Sequence, residues 1–247
     1  GKYIQMYKLE LKKKGKIIKS IDDWYNAAPP KNPSLHWKDG RSAKELAKYM
    51  TSTKGYMPKE IENILTKLGC NTNITFYGEP ESVTSLEGRG GGRHHDLLLV
   101  QENEVMIGVE AKSDECFGKI VCKELFGNKD YKELFDSISG NKFTRVNSLY
   151  NDIYGYDLYK NMELRYQLLT ATEGILKEAK KANASKAVLL VITLKKEGCY
   201  SEKKVEANLQ DLKNFVTSLG TPLEDGQYNL PVYPDIDFYV EHVEVEV

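Results

Sequence analysis

The sequence lacks long hydrophobic runs. No stretch reaches the roughly 18 consecutive apolar residues that a membrane-spanning helix needs. Near the N-terminus, the basic residues KKKGK are followed by IIKSIDDW, not by the apolar segment of a secretory signal. We therefore expect a cytoplasmic protein with no membrane contact.

Cysteine is scarce, and its spacing excludes common metal sites. The four cysteines are Cys70, Cys116, Cys122 and Cys199, and they form no C-x-x-C pair. The spacing between cysteine and histidine also suits no zinc site. We expect reduced thiols, as is usual in the cytoplasm.

A strong charge of one sign is absent as well. The chain has 35 basic and 36 acidic residues, for a net charge of −1. Proteins that coat nucleic acid without sequence preference are often strongly basic, so this class is disfavoured. An enzyme with a local basic cleft and acidic metal ligands remains compatible with this balance. The lysine cluster at residues 12–16 has the ordinary interpretation of a solvated surface.

Hydrophobic periodicity predicts an α/β protein in which helices flank a mixed central sheet. Ser42 and Glu45 fit a capping box at the start of a first helix. The other predicted elements are a helix after Pro58, strands near 73–78, 96–100 and 105–112, a helix from about Asp157 to Ala182, a strand at 187–194, a helix near 202–218 and a C-terminal strand. The first 40 residues read as irregular. We expect a single domain over residues 1–247, with a core at about 40–195 and a helical insertion at about 113–160.

The stretch GRGGGRHHDLLLVQENEVMIGVEAKSDE, residues 88–115, carries the most chemical information. A phosphate-binding Walker loop and a dinucleotide fingerprint both require a helix after the glycines. Here a strand follows them, so both motifs are excluded by context. We interpret the glycines as a loop that lets the backbone approach a partner closely.

The two strands after this loop predict a hairpin whose turn decides the site. Side chains alternate along a strand, so Glu110 and Lys112 share a face. A three-residue turn at 102–104 pairs Gln101 with Val105 and places Asp96 opposite Glu110, whereas a two-residue turn places Asp96 elsewhere. A metal site therefore requires a turn of odd length, or a bulge that re-aims the strand.

Two carboxylates on neighbouring strands, about 5 Å apart, repel each other unless a cation lies between them. Hard oxygen ligands favour Mg²⁺ or Mn²⁺. A nearby lysine can orient an attacking water and neutralise the negative charge that develops in phosphodiester hydrolysis.

On these residues the sequence resembles the PD-(D/E)XK nuclease superfamily. The matching pattern is D-(x13)-E-x-K, formed by Asp96, Glu110 and Lys112, with His95 in the place of the usual proline. The segments SIDDWYNAAPPK and WKDGRSAKELAKYM are similar to a bacterial branch of that superfamily. The resemblance implies a restriction-endonuclease-like core, a metal held by Asp96, Glu110 and the Ala111 carbonyl, and Lys112 acting on the water.

Further candidates lie around this trio. The resemblance suggests Glu45 as an additional metal ligand and Gln167 as a polar residue near the site, with Glu79 and Glu81 as alternatives to Glu45. Contacts with nucleic acid are expected from Arg93 in the glycine loop and from one of the two histidines, with His95 selected. Arg165 has two open interpretations, a stem that covers apolar surface or a phosphate contact.

The predicted function is that of a Mg²⁺- or Mn²⁺-dependent nuclease that hydrolyses phosphodiester bonds in DNA. Two alternatives remain open: a catalytically silent nucleic-acid-binding module, and a protein-interaction partner in a defence or toxin–antitoxin system. The sequence also leaves open whether the chain forms a homodimer.

Overall fold

A computed structural model describes residues 4–88, 90–127, 140–158 and 160–247. Within these residues seven strands form one mixed sheet of order β2-β1-β3-β4-β5-β6-β7. The strands are β1 (Leu9–Lys13), β2 (Lys16–Ile18), β3 (Phe76–Thr84), β4 (Arg93–Gln101), β5 (Val105–Lys112), β6 (Lys186–Lys195) and β7 (Asp237–Glu246). The predicted α/β class, with a mixed sheet flanked by helices, is confirmed.

The described helices cover both faces of this sheet. They are α1 (Ile21–Ala27), α2 (Pro33–His36), α3 (Ser42–Thr51), α4 (Lys59–Lys67), α5 (Val121–Phe126), α6 (Asn141–Tyr154), α7 (Tyr166–Lys181) and α8 (Glu202–Ser218). One core lies between the sheet and α6, α7 and α8, and the other between the sheet and α1, α3 and α4. Among the described residues, no helix is long and apolar enough to cross a membrane.

The centre of the sheet is buried on both faces. Strand β6 pairs in parallel with both β5 and β7, and its residues 187–195 are all buried. Strands covered by helices on two faces are expected to be continuously apolar, as the sequence AVLLVITL is. The observed bounds of β5 and α8 are the predicted ones, 105–112 and 202–218.

The prediction of an irregular first 40 residues is wrong, because this segment supplies two strands and two short helices. Strand β1 lies between β2, to which it is antiparallel, and β3, to which it is parallel. The β1–β2 turn places Lys14 at φ 51° and Gly15 at φ 77°. Positive φ at both central residues is typical of a tight hairpin turn. The sheet therefore extends outside the expected core of residues 40–195.

Two predicted helix starts are also corrected. Arg41, not Ser42, is the N-cap of α3, and the Ser42 hydroxyl donates to a Glu115 carboxylate oxygen at 2.8 Å, so the capping box does not form. Helix α7 begins at Tyr166, not near residue 157. The residues before it form a turn and an isolated bridge between Arg165 and Ile120, and their backbone bonds to a distant segment. Val121 N–H donates to the Leu164 carbonyl, and Tyr166 N–H donates to the Lys119 carbonyl.

The expected helical insertion at 113–160 contains α5 and α6. Its residues 128–139 and 159 lie outside the described part of the chain. Helix α6 packs Val146, Leu149 and Ile153 into the core beneath α7. The described part of the insertion therefore supports the helix that faces the candidate site.

Candidate active site

The β4–β5 turn has the odd length that the metal hypothesis requires. Gln101 pairs with Val105, and the antiparallel register continues to Leu97 opposite Val109. The turn consists of residues 102–104, closed by a 3.0 Å hydrogen bond from Glu104 N–H to the Gln101 carbonyl. One further step along this register would align Asp96 with Glu110, the alignment that the three-residue turn predicts.

Asp96 lies where β4 and β5 separate. Their regular pairing ends at Leu97, and beyond it the Asp96 carboxylate accepts the Ala111 N–H at 2.8 Å. The alternation of β4 also breaks here: Leu97 packs in the core beneath α3 and α4, whereas His95 packs against Gly174 of α7. The Asp96 carboxylate thus takes the place of a backbone carbonyl as the acceptor for Ala111 N–H at the point where the strands diverge. This hydrogen bond holds the carboxylate beside β5.

The environment of Asp96 disfavours its charged form. Burial raises the pKa of Asp96 to about 7, with a further increase from the Glu110 carboxylate and a partial decrease from Lys112. A carboxyl group with this pKa changes its charge near neutral pH. A cation bound beside it would favour the ionised form.

Glu110 is buried and already has a cationic neighbour. Its side chain is 4% exposed and forms an ion pair with Arg93, itself 9% exposed. The guanidinium of Arg93 also donates to the Thr170 hydroxyl on α7 at 3.1 Å. Arg93 therefore compensates the buried charge of Glu110 and ties β4 and β5 to α7.

Lys112 and Gln167 meet at the N-terminal turn of α7. The Lys112 ammonium donates to the Gln167 side-chain carbonyl at 3.2 Å and lies 5.5 Å from the centre of the Phe117 ring. Both side chains are half-buried. This pair places a positive charge near the two carboxylates, consistent with the effect of Lys112 on the pKa of Asp96.

Three residues predicted to contact nucleic acid are bonded to other protein groups. The His95 side chain is fully buried and hydrogen-bonded to the Thr84 hydroxyl at 2.9 Å, and burial lowers its pKa to about 3. Arg165 is the N-cap of α7 and binds Asp211 at 2.9 Å and the Gly118 carbonyl at 2.8 Å, so it braces α8 against the loop after β5. Arg93 likewise is held in the ion pair with Glu110. Each of the three side chains is therefore already engaged by protein groups in this arrangement.

Glu45, the proposed extra ligand on α3, has its described ion pair within its own helix. Glu45 is 3% exposed, and its carboxylate lies 3.4 Å from the Lys48 ammonium on the same helix. Its Oε2 is buried without a hydrogen bond. The described contacts of Glu45 do not include Asp96 or Glu110.

Glu81 lies nearer to Asp96 along the sheet than the sequence indicated. The β3–β4 register pairs Pro80 with Leu97 and Ser82 with His95, which aligns Glu81 with Asp96. Three acids, Glu81, Asp96 and Glu110, are thus in register across β3, β4 and β5, and we call them the acid row. Glu81 has φ 52°, and burial raises its pKa. Prediction of this alignment failed because β3 begins and ends later than its apolar segment at 73–78 suggested.

The donor chemistry of the pair fits Mg²⁺ or Mn²⁺. Among the described residues, no group of three or more His, Cys, Asp or Glu side chains is arranged so that it could hold a metal ion. Mg²⁺ usually keeps several waters and binds through one or two carboxylates together with substrate phosphates. Asp96 and Glu110 supply two such carboxylates, although Arg93 now contacts one oxygen of Glu110.

Comparison with known proteins identifies the family. A model for a domain of unknown function, DUF6946, matches residues 17–246, and the chain belongs to this family. A search of curated proteins found no match. A search of solved structures also found no match.

Proposed function

We propose that this chain is a metal-dependent nuclease, built as one domain on a restriction-endonuclease-like core, that hydrolyses phosphodiester bonds in DNA. The observation that carries the proposal is the register of the β4–β5 hairpin. It aligns Asp96 with Glu110 and places Lys112 two residues further along β5. The raised pKa of Asp96 supports the proposal, because active sites commonly perturb the pKa of acids in this way.

The residues of the site have distinct roles in this proposal. Asp96, Glu110 and the Ala111 carbonyl would hold Mg²⁺ or Mn²⁺, which when bound supplies Lewis-acid stabilisation of charge on phosphate oxygens. Lys112 orients the attacking water and offsets negative charge on the phosphate. Gln167 restrains the Lys112 ammonium through their hydrogen bond. The Asp96 hydrogen bond to Ala111 N–H keeps the first carboxylate in register with the second.

Incubation with plasmid, linear duplex and single-stranded DNA, each with Mg²⁺ or Mn²⁺, tests the proposal. We expect cleavage by the wild type and a loss of about 100-fold or more in Asp96→Asn and Lys112→Ala, the scale typical of positioned acid–base groups. Glu102→Gln, in the exposed turn of the same hairpin, and Lys180→Ala, at the exposed end of α7, are matched controls that should cut normally. If no substrate is cut, or if the two site variants cut as well as the wild type, the nuclease proposal fails.

The Arg93–Glu110 ion pair favours a second candidate function. In a catalytically silent nucleic-acid-binding module, Arg93 would permanently take the place of the cation. Direct titration with Mn²⁺ separates the two candidates. The nuclease should bind Mn²⁺ as wild type and lose it in Asp96→Asn, whereas a silent module should bind Mn²⁺ only after Arg93→Gln removes the competing charge.

A further inference from the structure

The β1–β2 hairpin is a strongly basic exposed segment next to the candidate site. Its sequence KKKGKIIK, residues 12–19, contains five lysines and no acidic residue. Lys12, Lys14, Lys16 and Lys19 are exposed, and within the described residues none of them is held in an ion pair. Clustered lysines without carboxylate partners create a positive potential that attracts polyanions.

The register of the sheet places this hairpin at the level of the acid row. Strand β1 runs parallel to β3 with Leu11 opposite Gly78, so continuation of the register brings Lys14 level with Glu81. The Lys13 ammonium donates to the carbonyls of Pro80 and Glu81, both at 2.8 Å. Neighbouring strands lie about 4.8 Å apart, so the hairpin tip is roughly 10 Å from Asp96, two strands away.

The sheet next to the hairpin is open on the face that α7 covers elsewhere. Lys12 pairs with Ile17, which is 53% exposed, and Tyr77 on β3 is 43% exposed. The Lys12 ammonium lies 5.2 Å from the centre of the Tyr77 ring. The exposed Lys31 adds positive charge, since it lowers the pKa of both Glu81 and His94. A solvent-exposed basic and aromatic surface therefore leads away from the acid row.

We propose that the β1–β2 hairpin binds the sugar-phosphate backbone of duplex DNA about three nucleotides from the acid row. This spacing is the distance of roughly 10 Å divided by the rise of about 3.4 Å per nucleotide along one strand. The position relative to the cut rests on the proposed nuclease function, whereas the binding itself does not. Lysines act as point charges on phosphates, so this contact contributes affinity and register without sequence preference.

A charge-neutralising variant that preserves the turn provides the test. Lys14→Asn gives the turn the favoured dipeptide Asn-Gly at two positions with positive φ, and Lys16→Gln removes the second charge. The control, Lys180→Gln with Lys181→Gln, removes two exposed charges from the far end of α7. Binding to duplex DNA is measured in EDTA, which prevents cleavage, over a range of salt concentrations.

Two lost phosphate contacts should reduce the slope of log K against log salt by about 1.8. If the binding curves meet near 1 M salt, this corresponds to roughly 60-fold weaker binding at 0.1 M salt. The control should match the wild type. Equal slopes and affinities for the hairpin variant and the wild type would overturn the inference, as would hairpin-dependent binding to anionic lipid vesicles with unchanged DNA binding.

The two proposals can fail separately. Hairpin-dependent DNA binding without cleavage in Mg²⁺ or Mn²⁺ removes the nuclease function and leaves the hairpin contact. Cleavage by the wild type, together with unchanged binding and cleavage in the hairpin variant, removes the hairpin contact and leaves the nuclease function.

Discussion

Asp96 and His95 are neighbours in sequence with opposite electrostatic behaviour. The half-buried Asp96 has its pKa raised to about 7, whereas the fully buried His95 has its pKa lowered to about 3. In both cases burial is the largest cause, and it disfavours the charged form of each group. Both side chains are therefore largely neutral at slightly acidic pH, and only the carboxyl group gains charge as the pH rises past neutrality.

The pKa of Asp96 predicts pH-dependent metal binding. Because a metal ion binds the ionised carboxylate, the apparent affinity for Mn²⁺ should rise about tenfold per pH unit below pH 7 and level off above it. Calorimetric titration of wild type at about pH 5.5, 6.5 and 8 measures this trend. Binding that is constant over this range would show that Asp96 is not a ligand or is already ionised.

The same shift has a defined effect on stability without metal. An acid whose folded pKa lies above its unfolded value stabilises the fold below the unfolded pKa, and this contribution is lost as pH rises to the folded pKa. Between about pH 4 and pH 7, the free energy of unfolding of wild type should fall by at most about 1.4 kcal/mol per pH unit relative to that of Asp96→Asn. Urea unfolding of both proteins at several pH values gives the difference.

For His95 we expect the opposite dependence, in which the free energy of unfolding rises with pH. A base whose folded pKa is depressed must bind a proton on unfolding, so its contribution is present above the unfolded pKa of 6.5 and is lost as pH falls. Between pH 6.5 and 5, the free energy of unfolding of wild type should fall by at most about 2 kcal/mol relative to that of His95→Gln. If urea unfolding shows parallel pH curves for the two proteins, the side chain is not held neutral as described.

At the scale of elements, helix α7 approaches the sheet through two glycines. A Cβ added to Gly108 on β5 would lie 2.3 Å from Ile175, and one added to Gly174 on α7 would lie 2.6 Å from His95. The absence of both side chains lets α7 lie close to β5. This approach brings Thr170 to Arg93 and Gln167 to Lys112.

Gly174→Ala should therefore destabilise the protein despite the better helix propensity of alanine. The propensity gain is about 1 kcal/mol, whereas overpacking a filled core costs typically 1–3 kcal/mol, and here the contact is with a buried ring. Chemical denaturation measures the change, with Gly91→Ala as control, because a Cβ at Gly91 meets nothing within 4 Å. A stabilised Gly174→Ala protein would contradict the close packing.

At the scale of the whole molecule, one sheet joins segments from both ends of the chain. Strands β1 and β2 lie at one edge and β7 at the other, and the acid row crosses β3, β4 and β5 between them. A metal ion bound at β4 and β5 would thus be bound by the folded chain and not by the unfolded one. Ligands of this kind raise the free energy of unfolding.

Mn²⁺ should therefore raise the melting temperature of wild type. At 100 times the Kd, stabilisation is about 2.7 kcal/mol, which corresponds to several degrees for a domain of this size. Thermal unfolding of wild type, Asp96→Asn and Glu102→Gln with and without Mn²⁺ measures the shift. We expect it in wild type and Glu102→Gln only, and an equal shift in Asp96→Asn would place the metal elsewhere.

The sequence by itself determined the features that depend on local pattern. The apolar run of β6 and the bounds of β5 follow from short-range periodicity, whereas the sequence leaves open the choice between a two-residue and a three-residue turn, which the register of β4 and β5 decides. These features can be predicted because residues adjacent in sequence have few backbone conformations available, so side chains recur at the period of the strand or helix.

Only the tertiary structure decided the partners of these residues. Arg93 pairs with Glu110 and Thr170, which lie 17 and 77 positions further along the chain. The burial of His95 and the late start of α7 likewise depend on contacts with distant segments. The addition of the lysine hairpin to the sheet likewise depends on β1 pairing with β3, 67 positions further along the chain. Such contacts leave no periodic signal in the sequence. Each depends on how the whole fold packs and not on the residues that are adjacent in sequence.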